Sequence, residues 1–301
     1  MKNLPEPKTI TIPDLPPGWL FLSYKALAYN RLAIVGTDKD VRGALKKDRG
    51  SAWQLSRKAS AKIWIYDGDG LYESISFPLL APFPIIDQFP DGNWIVANSR
   101  SQGDGNARIF LPNGTEVGRI ELGDGIEHIK IDEQNHIWVG WFDVGVFGND
   151  KWSYPGLRWP PSSSGIAAFN TEGELIKHAS IKSIADCYAL NIFDNEAWSC
   201  TYTDFPIWQM SGNKEKIWES NLSGIRALAI SYPNVLVAGG YNENIDCMSL
   251  IELTEDRAQE KMKWRTDLIS KKTEILLMDG RENIIHLVID KKWHRWDVVE
   301  F

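Results

Sequence analysis

The stretch GDGIEHIKIDEQNHIWVGWFDVGVFG, residues 123–148, decides how the chain is read. Two short apolar runs rich in β-branched and aromatic residues flank a polar turn, the pattern of a hairpin with one buried face. Asp143 follows the second run, set among glycines and aromatics. Whether it belongs to a site or only ends a hairpin depends on how often the pattern recurs.

It recurs along the whole chain. The stretch runs on into SGIAAFNTEGELIKHAS, a second hairpin turning at Asn170 to Gly173, so the unit is a pair of hairpins. The same unit precedes it as PIIDQFPDGNWIVANSR with NARIFLPNGTEVGRIEL. It follows as ADCYALNIFDNEAWSCTYTD with FPIWQMSGNKEKIWES, then as SGIRALAISYPNVLVAGGY with DCMSLIELTEDRAQEKMKW. The first copy holds WLFLSYKALAY, NRLAIVGTD and KIWIYDGDGLYESISF; the last is TEILLMDGRENIIHLVID and a single further strand, KKWHRWDVVEF. That copy lacks a fourth strand, and the unassigned candidate is PKTITIP at residues 7–13. The N-terminal strand is therefore expected to close the last sheet, which removes free edges.

Successive second strands end at Gly36, Ala97, Gly140, Cys200, Gly239 and Ile289. Once non-repeating insertions at about 39–61 and 144–163 are set aside, the period is about 40 to 50 residues, that of a four-stranded propeller blade. The reading is an all-β fold: a six-bladed β-propeller of four-stranded antiparallel blades, one domain over residues 1–301, with both insertions on one face. A β-sandwich would use about 100 residues and require several domains with linkers that the chain lacks. The best helical candidate, KDVRGALKKDRGSAWQLSRKASAK, has apolar residues too sparse for a broad stripe, so the first insertion is expected to be an irregular loop.

Composition narrows the function classes. A net charge of -7 argues against a general nucleic-acid surface, which needs clustered excess Lys and Arg. The N-terminus has no apolar run behind a basic start, and no later run approaches a membrane span. Cys187, Cys200 and Cys247 are odd in number and widely spaced, suggesting neither a disulfide framework nor a zinc knuckle. A reduced, cytoplasmic protein is expected. No GxSxG, HExxH or Walker sequence occurs.

Four segments, LGDGIEH, IWVGWFDVGVFG, DCYALN and YTDFP, within about residues 82–242, carry a resemblance. The chain resembles six-bladed propellers of the NHL-repeat and gluconolactonase-like kind, and more closely a family of uncharacterised bacterial six-bladed propellers. The resemblance implies the fold. Its gluconolactonase side implies an alternative function, a metal-dependent hydrolase or lactonase holding a divalent cation such as calcium on channel carboxylates.

In a propeller, loops after each second strand share a face with the loops between blades. This places Arg100, Asp143, Tyr202, Asp204 and Tyr241 on one rim. Aligning GIEHIKI with GIRALAI sets Glu127 opposite Arg226 in repeat register, and DCYALNI adds Asp186 with Tyr188 nearby. Asp143 reads either as a turn-initiating carboxylate or as a binding group. Glu127 and Arg226 read as a channel ion pair or as part of a site. His128 and His136 read as ordinary strand residues. Glu127, Asp143, Asp186 and Asp204 have the oxygen chemistry the lactonase alternative needs. Residues 39–62 carry eight Lys or Arg against two Asp, suited to an anionic partner. The second insertion mixes Trp152, Tyr154 and Trp159 with Pro and Gly and follows Trp141, suited to peptide, carbohydrate or protein contact. The leading expectation is a binding module without a resident cofactor, taking a protein or small polar ligand on the loop face, with no membrane partner.

Overall fold

In a computed structural model, which describes residues 3–100, 105–181 and 184–301, the chain forms six four-stranded antiparallel sheets. Their innermost strands are Leu20–Leu27, Pro84–Gln88, Ile126–Ile131, Asp186–Phe193, Ile225–Ser231 and Ile275–Arg281, one from each of blades 1 to 6. Blade 6 is completed by Lys8–Thr11, paired with Lys292–Asp297 in the register Lys8 to Arg295 through Thr11 to Lys292. Trp94, Trp138, Trp141, Trp198, Trp208, Trp218, Trp293 and Trp296 are fully buried. Large rings fill the wedges between sheets that twist away from one another.

Five of the six innermost strands carry a β-bulge at the same place. The ladder slips between Phe21 and Ser23, Ile126 and His128, Cys187 and Ala189, Ile225 and Ala227, and Ile275 and Leu277. The inserted residues are Leu22, Glu127, Tyr188, Arg226 and Leu276. A bulge bends a strand and re-aims its side chains, and here it does so at the loop-face end of the channel.

Counted from the bulges and ladders, Lys25, Asp87, Lys130, Asn191, Ala229 and Asp279 occupy one equivalent position on the six strands. All but Ala229 are polar, and these five form a buried polar layer. Lys130 Nζ donates to both carboxylate oxygens of Asp279 at 2.8 and 2.7 Å and to the Gly280 carbonyl at 2.9 Å, joining blades 3 and 6 across the axis. Lys25 stands 3.6 Å from the same carboxylate. Asp87 accepts from Arg281 at 2.9 Å and from the Ile131 N–H at 2.7 Å, while Asn191 bridges Leu228 and Glu282. Burial opposes ionisation of Asp279, but Lys130 and Lys25 outweigh it and hold the carboxyl well below its usual range. The layer ties non-adjacent blades together between the two mouths of the channel.

The first insertion corrects the expectation of an irregular loop. It folds as α1, Val41–Lys47, and α2, Arg49–Ser56. Asp40 accepts from the Gly43 N–H at 2.8 Å and Asp48 from the Ser51 N–H at 2.7 Å, so both acids of the segment are spent as helix caps. Val41 and Ala52 are fully buried, and Arg42 reaches Glu274 at 2.7 Å while lying over the Phe21 ring. The second insertion opens with α3, Asp143–Gly148, and ends in a short 3-10 turn, Pro161–Ser164. No helix among the described residues is long and apolar enough to cross a membrane.

Candidate functional site

The loop-face mouth is a funnel built by bulge residues and the residues beside them. Glu127 and Arg226 are both inserted residues, which gives the repeat-register pairing its structural meaning; both are exposed to water. The equivalent residue of blade 4 is Tyr188, and Asp186 begins that strand opposite Tyr202. Arg226 acts on both Glu127 and Asp186. Although its tip reaches water, enclosure by the channel walls pushes the Glu127 carboxyl up, against the opposing pull of Arg226 and Lys25. The Asp186 carboxyl is pushed up to about 7 by burial first, then by Glu127 and Asp143, with Arg226 again opposing. Three acids thus stand near Arg226, while Arg100, paired with Asp124, acts on Asp143 and Lys25, held at Asp279, acts on Glu127.

Tyrosines wall the blade 4 and 5 side. Tyr241 Oη donates to Tyr188 Oη at 2.9 Å, and the Tyr188 ring lies 6.2 Å from Tyr202 and 6.0 Å from Tyr241. Phe205, buried, backs the group at 5.2 to 5.8 Å from all three rings. The residue-by-residue reading passed over Phe205; its signal was its place in YTDFP, just after the strand carrying Tyr202. Asp204 is exposed in the intervening turn, with a left-handed backbone.

Asp143 has the turn-initiating role that its sequence offered, and it also stands close enough to the funnel to act on its charges. Its Oδ1 accepts the Val144 N–H at 2.7 Å at the start of α3, and the same exposed carboxylate contributes to the field on Asp186. α3 is pressed onto the loop ahead of blade 3. A Cβ at Gly125, where φ is +75, would lie 2.3 Å from the Gly145 nitrogen, so the contact requires glycine. Asn149 fastens the far end, accepting from the Asp124 N–H and donating to the Asp124 and Gly145 carbonyls.

Other expected site residues have different duties. Arg100 makes a two-point ion pair with Asp124 at 2.8 and 2.9 Å, a clamp between blades 2 and 3. Trp141 is fully buried with its Nε1 on the Leu122 carbonyl, so it is a core residue with no surface for a ligand. Trp152 packs with Trp141, Tyr154 and Phe169 at 6.2 to 6.4 Å and anchors the insertion to the core. Trp159 is the exposed ring, at 61%, and Phe147, which the sequence reading did not single out, is exposed at 66%. These two side chains border a groove of about 510 Å³ that is also lined by Val146, Pro160, Ile184, Ala185 and Thr203. Ala185 precedes Asp186 and Thr203 follows Tyr202, and the Ala185 N–H donates to the Tyr202 carbonyl at 2.7 Å, so groove and funnel adjoin along the blade 4 hairpin.

Among the described residues, no group of three or more His, Cys, Asp or Glu side chains is gathered closely enough to hold a metal ion. The carboxylates of the lactonase alternative share a mouth without converging as ligands. His128 contacts the Tyr188 carbonyl at 3.2 Å near the funnel, whereas His136 pairs with Asp132 at the opposite end of the hairpin, so the two do not meet. Cys187, Cys200 and Cys247 are buried free thiols. The opposite mouth is a recess of about 230 Å³ whose lining includes Arg31, Gln88, Glu133, Asn195, Arg281 and Glu282.

Comparison with known proteins supports the fold. Residues 162–294, less than half of the chain, match the model of the YxzG family. No curated protein matches. Among solved structures, a virginiamycin B lyase from Staphylococcus aureus with quinupristin is similar at a TM-score of 0.52 and 9% identity, covering 96% of this chain and 98% of that one. YCF48 bound to D1 peptide is similar at 0.50 and 11%, covering 93% and 79%. A functionally unknown protein from Desulfotomaculum acetoxidans is similar at 0.53 and 8%, covering 85% and 73%. At these identities the likeness is one of architecture, shared by propellers of enzyme and binding types.

Proposed function

We propose that this propeller is a binding module whose partner, a protein segment or a small polar ligand, rests on the loop face over the funnel and its adjoining groove. The observation that carries this reading is the exposure of Phe147 and Trp159 on a groove whose lining residues Ala185 and Thr203 are chain neighbours of Asp186 and Tyr202. Large apolar side chains left in water on a rigid scaffold, beside polar groups that can orient a ligand, are typical of recognition surfaces. Trp152, Tyr154 and Asn149 hold the insertion in place without depending on a partner, so the surface is largely pre-formed.

The test compares the wild-type chain with a Phe147→Ala/Trp159→Ala variant. Partners are recovered by cross-linking in the native host, and small ligands by ligand-observed NMR. Both side chains are exposed, so the melting temperature should hold within about 1 °C, as expected for surface substitutions. Loss of the bound species with the variant is the expected result. Equal recovery by both proteins, or recovery by neither, would refute a loop-face site.

A further inference from the structure

The groove and funnel differ in chemistry, and that difference selects an occupant. On the groove side the lining is mainly apolar, with Val146, Phe147, Trp159, Pro160 and Ile184 around one acid, Asp150. On the funnel side Glu127, Asp143 and Asp186 face Arg226; Arg100 and Lys25 also act on Asp143 and Glu127 but are themselves paired with Asp124 and Asp279, which leaves an excess of negative charge bordered by the rings of Tyr188, Tyr202 and Tyr241. The rings suit a cation as well, since a cation over a tyrosine face is attracted by it. An acidic occupant would meet Asp150, Asp143 and Asp186 in turn. A purely apolar one would leave the funnel carboxylates crowded and unrelieved.

The two halves meet at the open end of the blade 4 hairpin, where Ala185 and Thr203 line the groove and their chain neighbours Asp186 and Tyr202 pair across the first rung of the ladder. In an extended peptide, side chains two positions apart share a side and stand roughly 7 Å from each other. We infer that the occupant is a peptide segment with a bulky apolar side chain and a lysine or arginine two positions apart. The apolar side chain sits between Phe147 and Trp159, and the cation enters the funnel against Asp186 and Glu127. This assignment rests on the loop-face reading above and adds the chemistry of the partner.

The test uses the full chain at pH 8 and a random display library of peptides about seven residues long, with counter-selection on Phe147→Ala/Trp159→Ala. Enriched peptides should carry Leu, Ile, Met, Phe or Trp two positions from Lys or Arg. Changing that Lys or Arg to Gln in a selected peptide should weaken binding about tenfold, the scale of one charge-assisted hydrogen bond. Asp186→Asn should cost a similar factor, while Trp159→Phe, which keeps a ring in the groove, should retain binding. Wild-type affinity should fall from pH 8 to pH 6 as Asp186 takes up a proton in the field of Glu127, Asp143 and Arg226, and the Asn variant should lose most of that dependence.

Enrichment of neutral or acidic peptides, an unaffected Gln peptide, or no enrichment over the counter-selected variant would overturn the inference. Self-association of the chain that disappears with Trp159→Ala would assign the groove to a second copy and also overturn it. A native partner recovered through Phe147 and Trp159, alongside charge-indifferent peptides, would leave the loop-face reading standing and remove only this assignment.

Discussion

Replacing Asp186 with Asn should stabilise the free protein at neutral pH. The side chain is only partly accessible, and its carboxyl is raised to about 7 by burial and then by Glu127 and Asp143. In the unfolded chain an Asp ionises near 4. Folding therefore raises the pKa, the folded state holds an extra proton between roughly pH 4 and pH 7, and stability falls as pH climbs through that window. About three pH units at about 1.4 kcal/mol each set a ceiling near 4 kcal/mol, and residual contact with water reduces this to about 1–2 kcal/mol. With an unfolding entropy of about 2 cal/mol/K per residue, 301 residues shift Tm by about 1.6 °C per kcal/mol. Calorimetry should find Asp186→Asn melting about 2–3 °C above wild type at pH 8, with the gap closing towards pH 4. An Asn variant that melts lower at pH 8, or a gap that does not change with pH, would refute the argument that the funnel acids are in conflict.

Three further outcomes follow from the fold. Lys130→Met removes the buried cation that contacts both oxygens of Asp279 and should cost about 3–5 kcal/mol in denaturant unfolding; adding Asp279→Leu should restore most of it, and no recovery would show that the pair does not act as a unit. Deleting residues 1–13 removes the outer strand of blade 6 and the buried Ile12, for a loss of at least about 3 kcal/mol, and a peptide of residues 3–14 added in trans should recover part of it; an unchanged denaturation midpoint would discount the closure. His286 is fully buried and its pKa is lowered to about 3, chiefly by burial, so the unfolded chain binds the extra proton below about pH 6.5 and stability is lost as pH falls towards 3; about 2 kcal/mol should be gone by pH 5, and His286→Asn should flatten that slope.

The architecture was legible because its signal is local and repeated. Each hairpin carries alternating or clustered apolar residues around a turn, and the last copy lacks a strand that only residues near 8–11 supply. The helices at 41–56 were not legible from apolar periodicity. They bury little of their own surface and rely on the caps Asp40 and Asp48 and on Arg42 reaching Glu274, far away in sequence. Capping chemistry could have found them, since Asp40 and Asp48 each precede a segment without strand alternation. Trp141 and Trp159 are the same residue type 18 positions apart, yet one is buried and one exposed. Trp141 ends the apolar strand Ile137–Trp141, whereas Trp159 lies in the Pro-rich insertion, and only the packing of that insertion shows that its own aromatics divide, Trp152 inward and Trp159 outward.

The buried polar layer was missed for a related reason, and its contrast with the funnel bears on function. Lys25, Asp87, Lys130, Asn191 and Asp279 look unrelated in the sequence, because their equivalence appears only when the strands are counted from a bulge that adds one residue in five blades and none in blade 2. The same bulge places Glu127, Tyr188 and Arg226 only a few residues away, on the same strands. In the deep layer the carboxylates meet cations at hydrogen-bonding distance, as buried charge requires. At the mouth, Asp186 is held up by two neighbouring acids with one opposing guanidinium. A fold that pairs carboxylates with cations at such short distances just below has the means to do so at its rim. The unresolved repulsion there is a cost carried by the free protein, and a cationic ligand seated among Asp186, Glu127 and the tyrosines would remove it.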